Sequence, residues 1–202
     1  MMCKTDFCET IRGILANRSL KHLQNGYHNY APAAVLIPVF KKNGEYYVLF
    51  TKRAPRVKYH RGHVCFPGGV VDKNDSGFKD TALREANEEI GLLKQDVDIL
   101  GQVDDSLTFS PPFIIHPFVG LIPHPYPFRI NSKEVEKIFA VPLNFFVSHE
   151  GGAGLDATEY EPGFYFPEYR YSGELIWGTT ASITANFVGI LQSGGACPYS
   201  CF

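Results

Sequence analysis

The sequence lacks several features that mark particular classes of protein. No apolar run approaches the roughly 20 residues that a membrane-spanning helix needs. The 202 residues include 19 Lys and Arg against 21 Asp and Glu, which gives a net charge of −2. This balance offers no general attraction to nucleic acid, so a phosphate-bearing partner would have to meet a local cluster of cations. We therefore expect neither a membrane protein nor a nucleic-acid-binding protein.

Cysteine is also scarce, and its spacing excludes two kinds of site. The five cysteines include no C-x-x-C pair, which argues against both a disulfide framework and a zinc ribbon. Reduced thiols in a reducing compartment are the expected state. The N-terminal stretch MMCKTDFCETIRGIL places acids before its short apolar part and is a poor signal peptide, and the C-terminal PYSCF lacks a Ser-Lys-Leu type of peroxisomal address. These features predict a cytoplasmic protein.

Apolar periodicity predicts strands that alternate with helices. The stretches AAVLIPVF and YYVLFT, joined by the turn KKNGE, predict a β-hairpin. Further elements are expected as follows: helices over 6–20 and 180–191, strands over 97–103 and 113–122, a strand or short helix over 134–141, and an aromatic insertion or hairpin over 151–173 leading to 174–177. This order is typical of an α/β domain with a mixed sheet between helical layers. We expect an N-terminal helical segment over 1–30, one main domain over 31–192 and a tail over 193–202.

The stretch ALREANEEIG, residues 82–91, contains three closely spaced glutamates that are candidates for a functional site. Residues Phe78, Ala82, Ala86 and Ile90 recur every four positions and predict the buried stripe of a helix that Gly91 ends. The same helix places Glu85, Glu88 and Glu89 on one face, where like charges repel by roughly 0.2 to 0.5 kcal/mol per pair. Arg84 offsets only part of this charge. An acidic surface face is one interpretation. A site for a hard divalent cation is the other, and the glycine-rich stretch CFPGGVVDKND before the helix favours it.

These residues resemble the Nudix box, whose second half is Arg-Glu, an apolar residue, any residue, Glu-Glu, any residue, Gly and an apolar residue. The chain matches it at Arg84, Glu85, Ala86, Glu88, Glu89, Gly91 and Leu92. The first half departs from the pattern. One extra residue must be allowed to restore Gly69, and Asp75 then stands where the family has its first glutamate. The resemblance implies a Nudix-type α/β/α sandwich with a mixed β-sheet between helices.

The stretch before the box, LFTKRAPRVKYHRGHVCFPGG over 49–69, is similar to the signature of the coenzyme A diphosphatase branch of Nudix hydrolases. The matching positions are Thr51, Arg53, Ala54, Gly62, Val64, Phe66, Pro67, Gly68 and Gly69, with Phe50 and Lys58 as substitutions of like type. Three later stretches, 117–122, 134–143 and 176–183, also resemble that branch. The resemblance implies metal-dependent hydrolysis of coenzyme A or a derivative to 3',5'-ADP and 4'-phosphopantetheine or its acyl form.

The same resemblance implies roles for individual residues. Glu85 and Glu89 would be the principal Mg²⁺ or Mn²⁺ ligands, Glu88 a further or water-mediated ligand, and Gly69 would lend a backbone carbonyl. Arg84 would orient these acids. Substrate binding would fall to Arg53, Lys58, Arg61, Phe66 and Gly68. Glu85, Glu134 and Glu136 remain alternative general bases. The expected partner is a small-molecule substrate, and the oligomeric state is left open, a homodimer included.

Two other functions are weighed against this one. A Nudix hydrolase with another substrate, such as ADP-ribose or a damaged nucleoside triphosphate, would share the metal acids, but the motif over 51–69 argues against it. A non-catalytic ligand sensor of the same fold would be expected to lose those acids, and all of them are present.

Overall fold

The computed structural model describes residues 7–23, 27–57, 60–148 and 167–196. Its helices are α1 (Phe7–Asn17), α2 (Phe78–Ile90), α3 (Leu143–Ser148) and α4 (Gly178–Ser193). Its strands are β1 (Ala31–Lys42), β2 (Glu45–Arg53), β3 (Val64–Cys65), β4 (Gly68–Val70), β5 (Asp98–Gln102), β6 (Ser106–Phe109), β7 (Pro112–Leu121), β8 (Val135–Pro142), β9 (Tyr169–Tyr171) and β10 (Glu174–Ile176), and a 3₁₀ turn covers Lys94–Asp96. Within these ranges, no helix is long and apolar enough to cross a membrane.

A mixed eight-stranded sheet forms the centre of the molecule. Its main path runs β3-β2-β1-β7-β5, with β4 paired to β1, β6 to β7 and β8 to β2. The β1–β7 pair is parallel, whereas β1 pairs antiparallel with both β2 and β4. The predicted hairpin is confirmed, because β1 and β2 face each other across the Asn43–Gly44 turn.

Alternating side chains of β1 feed two separate cores. Ile37 and Val39 join the larger core, which also includes buried residues of α1, α3 and α4. Leu36 joins the smaller core under α2, and each of the three side chains is 0% exposed. Because successive residues of a strand point to opposite faces, this pattern places helices on both faces of the sheet. The predicted α/β/α sandwich is thus confirmed.

Helix α2 packs on the sheet through part of its predicted stripe. Ala82, Ala86 and Ile90 are fully buried, but Phe78 is 38% exposed, so its prediction as a core residue is wrong. The Phe78 ring instead lies parallel to the His116 ring, with centroids 3.6 Å apart. Gly91 ends the helix in the left-handed conformation at φ 70°, as the sequence predicts for a glycine stop.

Several elements differ from the sequence expectation. Strands β3 and β4 lie between the hairpin and α2, where no strand is predicted, β6 lies between the strands predicted over 97–103 and 113–122, and α3 directly follows β8. The hairpin before α4 consists of β9 and β10, which pair antiparallel. The rest of the predicted 151–173 insertion, up to residue 166, lies outside the described residues.

Candidate active site

The three acids of α2 differ in their exposure to solvent. The side chain of Glu89 is 3% exposed and that of Glu85 is 15% exposed, whereas Glu88 is 53% exposed. Glu85 and Glu89 lie one turn apart on the helix and face inward together. Glu88 therefore lies at the rim, consistent with its predicted role as a further or water-mediated ligand.

Strand β4 forms the wall opposite these acids. Gly69 pairs with Ala34 of β1, and a Cβ atom on Gly69 would lie 2.5 Å and 2.7 Å from the two carboxylate oxygens of Glu85. Real Cβ atoms are not found so close to a carboxylate, so glycine is needed for this approach. The backbone of Gly69 and the Glu85 carboxylate are thus brought together, as the sequence predicts.

Arg84 holds the outer part of the site. Its Nε and Nη2 donate to the two oxygens of Asp75, at 2.8 Å and 3.0 Å, in the bidentate geometry that suits a guanidinium and a carboxylate. Its Nη1 donates to Glu85 at 2.8 Å and lies 3.4 Å from Glu88. Arg84 therefore orients two of the predicted metal acids while Asp75 fixes Arg84 itself. In this chain the extra loop residue leaves Asp75 beside Arg84.

Glu89 has far fewer partners than its burial requires. Arg53 Nη1 lies 3.8 Å from its Oε1, and its Oε2 is buried without a hydrogen-bond partner among the described residues. Burial raises the pKa of Glu89 to about 8, Arg53 opposes the rise, and the charges of Glu85 and Glu134 add to it. Burial likewise raises the pKa of Glu85, against the opposing effect of Arg84. Burial and the neighbouring acids thus disfavour the ionised forms of both Glu85 and Glu89.

The chain after β7 brings a fourth acid to the site. The backbone N–H groups of Arg129 and Asn131 donate to the carbonyls of Ile90 and Glu89 at the end of α2, both at 2.9 Å. Asn131 Nδ2 also donates to the Glu134 carboxylate at 3.0 Å. This wrapping places Glu134 close enough for its charge to raise the pKa values of both Glu85 and Glu89.

The structure separates the three candidates for a general base. Glu134 is half-buried beside the metal acids, and Glu85 is paired with Arg84. Glu136 is exposed on β8, where its charge acts on Lys137. The motif alone gave no means to distinguish these acids. The distances of Glu134 and Glu136 from α2 depend on how residues 129–134 wrap the end of that helix.

The predicted substrate-binding residues are placed in different environments. Arg53, the last residue of β2, reaches the site. Arg61 is exposed on the loop that follows β2, where its Nε donates to the carbonyl of Val57 at 2.9 Å. Gly68 packs against β1, where a Cβ would meet Val35 Cα at 2.7 Å. Lys58 lies outside the described residues.

Phe66 requires a correction. It is 3% exposed, and its ring stacks on Phe50 with centroids 4.9 Å apart. It is therefore a core residue that positions the loop and does not offer a surface to substrate. A strand-like alternation, Val64 and Phe66 inward with Cys65 between them, could have indicated this.

Two aromatic side chains that the sequence analysis did not select lie near the same loop. The His63 ring centroid is 4.9 Å from that of Trp177, the residue that precedes α4. Thr180 of α4 also donates to the carbonyl of Val64 at 3.2 Å. Burial lowers the pKa of His63, and the charges of His60 and Arg53 lower it further. A neutral imidazole and an indole thus form a partly exposed aromatic pair beside the cationic loop.

The geometry suits a hard cation. Glu85, Glu89 and the Gly69 backbone supply oxygen donors only, which Mg²⁺ and Mn²⁺ prefer over nitrogen or sulfur. The orphaned oxygen of Glu89 marks where protein donors are missing. Cys65 lies nearby, but burial raises the pKa of its thiol to about 11, so it stays protonated and is a poor nucleophile.

Comparison with solved structures agrees with the architecture. A Nudix hydrolase from Alicyclobacillus acidocaldarius superimposes with a TM-score of 0.51 over 84% of this chain and 92% of that one. The two sequences are only 18% identical, so this likeness shows the fold alone.

Comparison of sequences gives the family. Residues 30–150 match the model of the NUDIX domain. The chain is 40% identical over 157 residues to a protein of Photorhabdus laumondii named an uncharacterized Nudix hydrolase NudL, covering 77% of this chain and 82% of that protein. It is 38% identical over 153 residues to a protein of the same name from Yersinia pestis, covering 75% of each. With the acids of the box in place beside Gly69, the chain belongs to the Nudix hydrolase family.

Proposed function

We propose that this Nudix hydrolase cleaves the diphosphate of coenzyme A or a coenzyme A derivative, giving 3',5'-ADP and 4'-phosphopantetheine or its acyl form. The observation that carries the proposal is the position of Arg53. This residue belongs to the motif over 49–69 that resembles the coenzyme A branch, and its guanidinium lies 3.8 Å from Glu89 of the Nudix helix. The motif and the acids thus meet in one site.

The proposal includes a divalent cation, and the donors fit one. Glu85 and Glu89 would hold it together with the carbonyl of Gly69, and Glu88 would contribute from the rim. A bound Mg²⁺ or Mn²⁺ would neutralise charge on the diphosphate oxygens and lower the pKa of a water molecule. A cation bound between Glu85 and Glu89 would favour their ionised forms, which burial otherwise disfavours.

The chain's own groups then divide the remaining work. Arg84, fixed by Asp75, keeps Glu85 in position through its 2.8 Å hydrogen bond. Glu134, oriented by Asn131 and only half-buried, is the best placed acid to accept the proton of the attacking water. Glu85 is less suited to that task because its carboxylate already accepts a hydrogen bond from a guanidinium.

Substrate selection is assigned to the end of β2 and the loop that follows it. Arg53 would bind the diphosphate beside the cation, and Arg61, exposed on the same loop, would reach a more distant phosphate by a charge-assisted hydrogen bond. In place of Phe66, the aromatic surface comes from His63 and Trp177, whose rings lie 4.9 Å apart. A stacked base or an apolar pantetheine arm would suit this pair.

A product assay tests the proposal. Purified protein with Mg²⁺ or Mn²⁺ is offered coenzyme A, acyl-coenzyme A, oxidised coenzyme A, ADP-ribose and dinucleoside polyphosphates, and products are separated by chromatography. We expect the highest kcat/KM for a coenzyme A compound, release of 3',5'-ADP, and no turnover in excess EDTA. Preference for ADP-ribose would overturn the substrate assignment. Undiminished turnover in EDTA would overturn the cation-dependent mechanism.

A further inference from the structure

A second group of possible metal ligands lies outside the proposed active site. His22 follows α1, Asp105 connects β5 to β6, and His116 lies on β7. One ligand atom from each, two imidazole nitrogens and a carboxylate oxygen, lie within 4.8 Å of one another. His22 thus meets two residues that lie more than 80 positions further along the chain.

The distances suit coordination of a single ion. His116 Nδ1 lies 2.8 Å from Asp105 Oδ1, and His22 Nδ1 lies 3.2 Å from Asp105 Oδ2. Two ligand atoms bound tetrahedrally to one zinc ion at about 2.0 to 2.1 Å would lie about 3.3 Å apart. Small rotations of the two rings would therefore bring all three groups into a shared coordination sphere.

The surroundings of the carboxylate already resemble the outer shell of a metal site. Leu23 N–H donates to Asp105 Oδ2 at 3.0 Å, and Gln102 Nε2 donates to Oδ1 at 3.2 Å. Carboxylates that bind metals are commonly held by such donors. The Asp105 side chain is 0% exposed and that of His116 is 8% exposed, while His22 is 44% exposed. Two ligands are thus fixed in the interior and the third leaves one side open to solvent.

We propose that His22, Asp105 and His116 form a binding site for a divalent transition-metal ion of the zinc type. Two nitrogens and one oxygen are a borderline donor set that favours Zn²⁺ over Mg²⁺. The site is distinct from the oxygen-only cluster of α2, and the inference is independent of the proposed hydrolysis. It joins the segment after α1 to β7, and through the His116–Phe78 ring stack to the start of α2.

Metal binding at this site requires the protons on the Nδ1 atoms of His22 and His116 to move. An ionised carboxylate only accepts hydrogen bonds, so in the absence of an ion each Nδ1 carries the proton that it donates to Asp105. On metal binding each Nδ1 lone pair becomes a ligand. The displaced proton moves to Nε2 of the same ring, or to solvent if that ring was cationic. The Leu23 and Gln102 hydrogen bonds to Asp105 are kept.

The test uses the full chain with the double substitution Glu85→Gln and Glu89→Gln, so that the proposed catalytic cation site cannot contribute. After chelator treatment, Zn²⁺ binding is measured by isothermal titration calorimetry, with Mg²⁺ as the comparison ion. We expect one equivalent of Zn²⁺ to bind in the micromolar range or tighter, to raise Tm by several degrees, and to exceed Mg²⁺ affinity by at least 100-fold. Absence of stoichiometric Zn²⁺ binding would show that the cluster is only a hydrogen-bonded connection.

Matched substitutions locate the ion. On the same background, His22→Ala should weaken Zn²⁺ binding at least 10-fold, and because this side chain is partly exposed the fold should persist by circular dichroism. His124→Ala removes an exposed histidine that stacks on Phe40 with centroids 4.6 Å apart, and it should leave binding unchanged. Loss of affinity on His63→Ala instead of His22→Ala would place the ion at the His60–His63 pair and overturn the proposal.

Cobalt provides a spectroscopic check that does not depend on activity. Co²⁺ bound by nitrogen and oxygen should give visible ligand-field bands without a thiolate-to-cobalt charge-transfer band. A strong charge-transfer band would assign the ion to cysteines and contradict the site. Because hydrolysis is not measured, failure here and failure of the proposed function are distinguishable.

Discussion

Glu89 and Asp105 are both carboxylates withdrawn from solvent, yet their neighbours serve them in opposite ways. The contribution of burial alone acts to raise the pKa of both carboxyl groups. At Asp105 the donors His116, Leu23 N–H and His22 outweigh this effect, and the pKa is lowered. At Glu89 the Arg53 guanidinium is 3.8 Å away and one oxygen has no partner, so the pKa is raised to about 8.

The difference indicates what each acid can hold. A buried carboxylate oxygen without a hydrogen-bond partner is costly to the fold, and a bound cation would supply the partner that the Glu89 Oε2 atom lacks among the described residues. Its neighbours offer only oxygens, which favours a hard cation. At Asp105 an ion would instead replace two imidazole N–H donors, which favours a borderline ion. The two acids should therefore respond to different metals and to different substitutions.

Removing the charge of Glu89 should give the largest effect. Glu89→Gln keeps the side-chain shape, but a neutral amide holds a divalent cation less well. If that contact supplies about 4 kcal/mol to the transition state, kcat should fall about 10³-fold. Turnover in a Mg²⁺ titration and Tm are measured together. Tm should not fall, since Gln has nearly the same shape and a neutral side chain avoids the desolvation of a buried carboxylate that raises the Glu89 pKa.

Glu136→Gln is the matched control, because Glu136 is exposed on β8 and should leave turnover nearly unchanged. A loss below fivefold for Glu89→Gln, with cation affinity unaltered, would contradict the interpretation of Glu89 as a ligand.

Substitutions of two neighbouring glycines are expected to distinguish an effect on the active site from an effect on the packing of the sheet. The three atoms nearest to a Cβ on Gly69 would all belong to the Glu85 carboxylate, so Gly69→Ala should displace that carboxylate and lower kcat about 10²-fold, as small misplacements of catalytic groups do. A Cβ on Gly68 would meet Val35 backbone at 2.7 Å, so Gly68→Ala should overpack β1 and cost about 1 to 3 kcal/mol of stability.

Chemical denaturation and initial rates measure both consequences. Gly13→Ala, whose Cβ would have no neighbour within 4 Å, is the control for an added methyl group. A stability loss for Gly69→Ala as large as that for Gly68→Ala would mean that Gly69 is needed for packing and not for the approach of Glu85.

The sequence predicted the parts of the molecule in which chemistry is local. The spacing of Glu85 and Glu89 on one helix and the Asn43–Gly44 turn each depend on a few adjacent residues, and both predictions agree with the structure. Asp75 shows the limit of this approach. Its register was ambiguous because of the extra residue, and only the folded loop shows its two oxygens on Arg84.

Features that depend on distant contacts were not predictable. The wrapping of the α2 end by Asn131, which brings Glu134 to the site, joins segments more than 40 residues apart. Phe78 of α2 stacks on His116 of β7, and helical periodicity cannot reveal such a partner. The convergence of His22 with Asp105 has no local signal either, because each residue alone is a common surface or loop residue.

Substitution of Arg53 tests the role of the cation that lies beside Glu89. If Arg53 binds phosphate through charge-assisted hydrogen bonds of about 1.5 to 3 kcal/mol, Arg53→Ala should lower kcat/KM for coenzyme A roughly 10- to 150-fold. Because Arg53 lies beside Glu89, we expect similar losses for coenzyme A, 3'-dephospho-coenzyme A and ADP-ribose, which all contain the diphosphate.

Arg53→Lys is the control, since it keeps the charge but loses the planar fork, and it should recover only part of the rate. A loss confined to coenzyme A would show that Arg53 recognises the 3'-phosphate. Arg61→Ala is expected to give that selective pattern, with a smaller loss because Arg61 is exposed.

An effect on stability that depends on pH is expected at Asp75, an acid whose partners, like those of Asp105, satisfy it. The Arg84 guanidinium holds the pKa of Asp75 well below its usual range. A lowered carboxyl pKa contributes stability that is fully present above the ordinary value of about 3.9 and is lost as pH falls toward the folded-state pKa. Asp75→Asn should therefore cost about 1.5 to 3 kcal/mol near pH 7, with the difference from the parent constant down to about pH 5 and shrinking below about pH 4. Urea unfolding of both proteins across this range measures it, and Asp72→Asn, which keeps the loop but touches no guanidinium among the described contacts, is the control. A difference that grows as the solution becomes more acidic would show that Asp75 is strained by burial and is not stabilised by Arg84.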